Sequence, residues 1–208
     1  MAKQLIGTAD ITDDLGTNAV RWRKVIAQAL SDGTDSIDIA DIISGLALTN
    51  FAGWGNYTSD EVLDQVIGTT ASKLVINALG ANTNSDYLPA EIQGTGQLWD
   101  GATSKITPIT LGDGYTLRLD LQILEEGANP SELIVDLDIG GAATPTNVIV
   151  STIVPLGSSV PHTVSPSFPI FTLATFLANG GQFFLRTDAG TATLRKRQIS
   201  IHRISKGS

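Results

Sequence analysis

Tyr115-Thr-Leu-Arg-Leu-Asp-Leu-Gln-Ile-Leu124 decides the class of fold. In an extended chain successive side chains point to opposite faces, so Tyr115, Leu117, Leu119, Leu121 and Ile123 share one side while Thr116, Arg118, Asp120 and Gln122 share the other. Such a segment has one buried and one wet face, the signature of an antiparallel strand covering a core.

Working outward, the same period recurs. Leu133, Val135, Leu137 and Ile139 oppose Asp136 and Asp138, and Asn147 to Val154 is apolar on both faces. Residues 168–178, 182–187, 191–195 and 198–204 read as further strands, and Leu74 to Leu79 as an earlier one. Weaker candidates lie around 88–93 and 104–109. Asn179-Gly180-Gly181 and Asp188-Ala189-Gly190 suit tight turns. Pro155, Pro161, Pro166 and Pro169 confine the stretch that holds them to an edge or a long connection. Eight strands in residues 71–208 fit an antiparallel β-sandwich or jelly roll.

Composition agrees. The chain has 208 residues, 42% apolar and only 16% charged, with 21 Gly and 8 Pro. That excludes disorder of the whole chain and disfavours long helices. Without cysteine there are no disulfides, thiolate metal sites or thiol catalysis. No run reaches the length of a membrane span, and Met1-Ala2-Lys3-Gln4 leads into no signal-peptide segment, so a soluble chain that keeps its start is expected. A net charge of −8 opposes general nucleic-acid binding, which rests on Lys and Arg neutralising phosphates.

The character of the chain changes near residue 70. Residues 1–70 hold ten Asp or Glu against four Lys or Arg, and their periods are mixed. Trp22, Val25, Ile26, Ala29 and Leu30 make one apolar stripe at helical spacing, with Asp13, Asp14 and Thr17 as caps and Ser31-Asp32-Gly33 as the stop. Three turns of helix cannot stand alone in water, so this stripe must dock. Thr58-Ser-Asp-Glu61 reads as a capping box ahead of a second short helix through Val62, Leu63, Val66 and Ile67. The organisation expected is an N-terminal arm for anchoring or oligomerisation over 1–70 and a sandwich over 71–208.

Candidate chemistry is sparse. Asp32, Asp35, Asp38 and Asp41 recur every third residue but miss the ligand spacing of a calcium loop, and a solvated acidic stretch explains them. Asp136 and Asp138, with Asp120 on a neighbouring strand, would form the carboxylate pair of glycoside hydrolysis, although a wet sheet face predicts the same residues. Arg195-Lys196-Arg197, Arg203 and Lys206 place five of thirteen basic residues in the last fourteen positions; pairing with the acidic N-terminal region of another chain, or a solvated hairpin, fits them better than phosphate binding. His162 and His202 lack companion ligands and read as surface or interface residues. Neither G-x-S-x-G nor a phosphate-binding glycine motif is present. Catalytic, cofactor and metal sites are therefore all expected to be absent. Trp54, Tyr57 and Trp99 could form a sugar-stacking platform or equally plug a core or an interface.

Phe168-Pro-Ile-Phe171-Thr, Phe176-Leu-Ala-Asn-Gly-Gly-Gln-Phe183-Phe-Leu and Ile199-Ser-Ile-His-Arg-Ile204, preceded by Gly114-Tyr-Thr-Leu-Arg-Leu-Asp-Leu, set a cadence over residues 110–208. It resembles the jelly-roll modules, tumour-necrosis-factor-like in shape, of trimeric structural proteins of tailed bacteriophages, such as head-decoration (cement) proteins, head fibres and tail-fibre tips. The resemblance implies a homotrimer made in the host cytoplasm, located in the virion on the capsid surface, and partnered by itself and by the major capsid or another virion protein. No membrane partner is expected, since no apolar run is long enough to span one. Trp22, Val25, Ile26, Leu30, Ile42, Phe51 and Trp54 would anchor the arm. Lacking a fibre shaft, the chain suits a short surface protein. The competing class is a carbohydrate-binding or receptor-binding tip, with Tyr57 and Trp99 as sugar contacts.

Overall fold

The computed structural model describes residues 52–60, 64–93, 98–126, 130–157 and 161–207. Their strands are β1 (Gly53–Thr58), β2 (Gln65–Ile67), β3 (Ser72–Lys73), β4 (Trp99–Asp100), β5 (Lys105–Ile106), β6 (Gly114–Glu126), β7 (Glu132–Asp138), β8 (Val148–Pro155), β9 (His162–Val164), β10 (Ser167–Phe171), β11 (Gln182–Thr187) and β12 (Thr191–Ser205). Two short helices, α1 (Ala90–Gln93) and α2 (Ala174–Asn179), interrupt them. The result is an antiparallel β-sandwich of jelly-roll kind. One sheet runs β1-β12-β6-β10, with β2 also on β12 and β9 also on β6; the other runs β3-β11-β7-β8. No described helix is long and apolar enough to cross a membrane.

The alternating stretch quoted first is the spine. All five residues of its apolar face are fully buried, and they meet Leu133, Val135, Leu137, Phe183 and Leu185 of the facing sheet in one core. Each such side chain contributes roughly 1.5–3 kcal/mol through area removed from water. β6 pairs with β12 along nearly its whole length, and β12 is one continuous strand where the sequence suggested two. The physical reason is a bulge between Leu194 and Lys196. One extra residue flips the alternation, so Ala192 and Leu194 face inward before it and Arg197, Ile199, Ile201 and Arg203 after it.

Other expectations shift in the same way. Leu74 and Ile76 are core residues, but their stretch forms no ladder: Leu74 N–H donates to Phe183 O (2.8 Å), Ile76 N–H to Ser104 Oγ (3.0 Å), and Ile76 O accepts from Trp99 Nε1 (2.9 Å). Residues 168–178 divide into β10 and α2, because Asn179-Gly180-Gly181 ends a helix instead of closing a hairpin. Gly180 takes φ +71° and its N–H donates to Phe176 O, while an added Cβ would sit 2.6 Å from Ile106 O. Asp188-Ala189-Gly190 does join β11 to β12. The weak candidate at 88–93 holds α1, and that at 104–109 holds β5. Pro169 lies in β10, an edge strand, as a missing N–H requires.

The sheet also reaches into the stretch read as an arm. β1 pairs with β12 from Gly53↔Arg203 to Thr58↔Gln198, and β2 pairs with it at 65–67. The helix expected after Thr58 is thus replaced at 65–67 by a strand, since Ile67 gains full burial on the sheet. The stripe at 22–30 lies outside the described residues.

Candidate functional site

The outward face of the larger sheet gathers side chains from four strands into rungs. Register places Trp54, His202, Thr116 and Pro169 side by side, then Asn56, Ser200, Arg118 and Ser167, then Thr58, Gln198 and Asp120. Gln122 and Thr163 continue the face on β6 and β9. Hydrogen bonds knit the rungs: Ser200 Oγ donates to Asn56 Oδ1 (2.8 Å), Arg118 Nε and Ser165 Oγ both donate to Asp120 Oδ1 (3.0 and 2.6 Å), and Gln198 Nε2 donates to Asp120 Oδ2 (3.4 Å). Between Thr58, Asn82, Asp120, Gln122, Lys196 and Gln198 lies a cleft of about 170 Å³.

A loop from Gly80 to Leu88 folds along the free edge of β1. Asn56 and Asn84 exchange backbone hydrogen bonds at 2.8 Å, Asn56 Nδ2 donates to Asn82 O (2.8 Å), and Trp54 N–H donates to Tyr87 O (3.3 Å). Gly53 permits the approach, for a Cβ there would stand 2.5 Å from Tyr87 O. The consequence is an aromatic rung. Tyr87 stacks on Trp54 at 4.8 Å with planes 15° apart, and His202 lies beyond at 6.3 Å and 22°. Trp54 is 36% and Tyr87 59% exposed.

Of the residues singled out in sequence, Trp54, His202 and Asp120 belong to this face, with Lys196 at its cleft. Tyr57 and Trp99 are core residues, fully and 97% buried, with rings 6.4 Å apart; neither offers a face to a saccharide, which corrects their reading as sugar contacts. The Tyr57 hydroxyl has no hydrogen-bond partner among the described residues, and burial pushes its pKa far above the ordinary value. Trp22, Val25, Ile26, Leu30, Ile42 and Phe51 lie outside the described residues, as does the Asp32–Asp41 run. Tyr87 went unread, and His202 was read only as a surface or interface residue, because no local pattern links positions 54, 87 and 202; the signal available was only that Tyr87 precedes Leu88-Pro89 and that His202 sits on a strand.

The candidate carboxylates separate. Asp120 is in one sheet, Asp136 and Asp138 in the other, so the three never converge. Asp136 pairs with Arg186 and accepts from Ser151 Oγ (2.5 Å). Asp138, fully buried, accepts from the backbone N–H groups of Gly140, Thr146 and Asn147. The basic tail pairs with acids of its own chain. Arg195 meets Asp64 (3.2 Å); Arg203, buried, meets Glu91 (2.5 Å) and Asp113 (3.0 Å); Lys206 meets Glu91 (2.8 Å). Asp113 also accepts from the Tyr115 hydroxyl at 2.8 Å, and burial, reinforced by that carboxylate, raises the Tyr115 pKa. Among the described residues no three His, Asp or Glu side chains converge as a metal site would require.

At one end of the sandwich the surface is apolar. Leu111, Phe171, Leu173 and Ile204 are each about half exposed or more. Phe171 and Ile204 flank Gly114, within 3.2 and 3.4 Å of where its Cβ would be.

No protein-family profile and no curated protein matches the chain. Solved structures of similar shape include Eiger TNF from S. frugiperda (9% identity, 74% of this chain and 94% of that one, TM-score 0.47). Another is the PRD1 vertex protein P5 (14% identity, 75% and 98%, TM-score 0.42). A third comes from the disulfide-linked pili of Bacillus endospore appendages (12% identity, 74% and 89%, TM-score 0.37).

Proposed function

We propose that the chain is a non-enzymatic structural subunit of a tailed-bacteriophage virion, a capsid decoration or head-fibre protein that trimerises and attaches through its N-terminal residues. The observation that carries the self-association is the apolar end formed by Leu111, Phe171, Leu173 and Ile204. Four large apolar side chains held in water at one end of a jelly roll suit a contact between copies, where obligate interfaces bury roughly 2,000 Å² or more. In this reading the buried carboxylates serve the fold: Asp113, Asp136 and Asp138 are each engaged by cations, hydroxyls or backbone N–H groups.

Light scattering in solution tests the reading. A mass of about 65 kDa, three times the 21.8 kDa chain, is expected, and Phe171→Glu should lower it toward one chain. A wild-type monomer overturns the trimer. For attachment, polar substitutions at Trp22, Val25, Ile26 and Leu30 should release the protein from particles. Removing residues 1–70 outright is unsuitable, because it also excises β1 and β2.

A further inference from the structure

We infer that the outward face of the larger sheet is a binding site for a short oligosaccharide, with the Tyr87–Trp54–His202 rung as its stacking end and the cleft beside Asp120 and Gln198 as its polar end. This stands independently of the virion reading. Three observations lead to it.

First, the aromatic rung is assembled from remote parts of the chain and left in water. Tyr87 is 59% exposed although it stacks on Trp54 at 4.8 Å, and the loop that carries it lies so close that a Cβ on Gly53 would stand 2.5 Å from Tyr87 O. An exposed π-face beside water is the surface on which the C–H face of a sugar ring is desolvated, as other amphipathic rings are. Second, the adjoining rungs are polar: Asn56, Ser200, Arg118, Thr58, Gln198, Asp120 and Gln122 supply hydroxyls, amides, a carboxylate and a guanidinium, and Lys196, opposite Gln122, adds an ammonium at the cleft. Planar amide and carboxylate groups fixed by mutual hydrogen bonds can each engage two vicinal hydroxyls, and pre-paired polar groups lose little freedom on binding. Arg118 and Asp120 neutralise each other at 2.8 Å, so the two middle rungs offer hydrogen bonds and no net charge to a polyhydroxyl ligand. Third, the dimensions match an oligomer. The aromatic rung and the Asp120 rung are four residues apart along β6 and β12, about 13–14 Å at the rise of a strand, a distance a short oligosaccharide bridges and a single sugar ring does not.

The test is a glycan array on the full chain, followed by calorimetric titration of the best neutral oligosaccharide. Tyr87→Ala and Gln198→Ala should each weaken binding at least tenfold while thermal unfolding and far-ultraviolet dichroism stay unchanged. Tyr87→Phe should bind within about threefold of wild type, since the ring and not the hydroxyl does the stacking. A blank array, binding confined to single-stranded DNA, or affinity indifferent to both alanine substitutions overturns the inference. So does a Tyr87→Phe variant as weak as Tyr87→Ala.

Discussion

β6 and β7 carry the same pattern in sequence, apolar residues alternating with largely polar ones that include acids, yet their outward faces are opposites. On β6 Asp120 stands among solvated polar rungs, its side chain 20% exposed and its salt-bridge partner Arg118 56% exposed. On β7 Asp136 and Asp138 are 3% and 0% exposed, and their neighbours Gln182 and Phe184 on β11 are closed off as well. Alternation reports which side chains leave the core; it does not report what lies over them. A carboxylate on a covered face must be paired, and one on an open face is free to meet a ligand.

The comparison breaks most visibly at Asp138. Asp138→Ala leaves three backbone N–H groups without their acceptor, and chemical denaturation should show a loss of about 3 kcal/mol, at roughly 1 kcal/mol or more per orphaned donor. Asp136→Ala should cost about 2 kcal/mol by the same measurement, because Arg186 is 36% exposed and rehydrates once its partner is gone. Tyr57→Phe probes the inward side of the larger sheet and should gain about 1 kcal/mol, as it deletes a buried hydroxyl that bonds to nothing described. Asp120→Ala, on the open face, should move stability by only about 0.5 kcal/mol; a loss equal to that of Asp136→Ala would erase the distinction between the faces.

Acid titration sharpens the same point. Glu91 is held below its ordinary pKa of 4.5 by hydrogen bonds from Lys206 and Arg203, Asp100 by Thr103, and Asp188 by Ser131. Depressed folded-state values mean that the native state holds fewer protons than the unfolded chain. Stability is therefore fully present above the ordinary carboxylate range and lost as pH falls through the lower folded values. The unfolding midpoint should stay level down to about pH 5 and decline below about pH 4.

Much of the sandwich was legible because its information is local. Tyr115 to Leu124, Leu133 to Ile139 and 182–187 state their inward faces by period alone. Failures arose where a tertiary partner replaced a local rule. Leu74 to Leu79 alternates like a strand, yet Ser104 and Trp99 take its backbone groups. Thr58 to Glu61 has a capping box's residues, yet the edge of β12 offered 65–67 a ladder. The binding face was hardest to foresee: Tyr87, Trp54 and His202 meet only because Gly53 lets a loop lie against β1 and β1 lies against β12. Tyr57 and Trp99 are the converse, large rings whose loop-like surroundings concealed full burial.

The bulge in β12 has one more consequence. After it, the inward row reads Arg197, Ile199, Ile201, Arg203: two aliphatic residues between two arginines. Arg203 is anchored by Asp113 and Glu91 at one rim, and Arg197 lies in the field of Asp64 and Asp60 at the other. A slip of two residues in either direction would keep every side chain on its proper face, so alternation alone cannot forbid it. It would, however, drag a guanidinium into the aliphatic centre and strip it of its acids. The two cations thus work as end stops on a sliding ruler, selecting one alignment of the longest strand pair from a set that hydrophobicity leaves nearly equal.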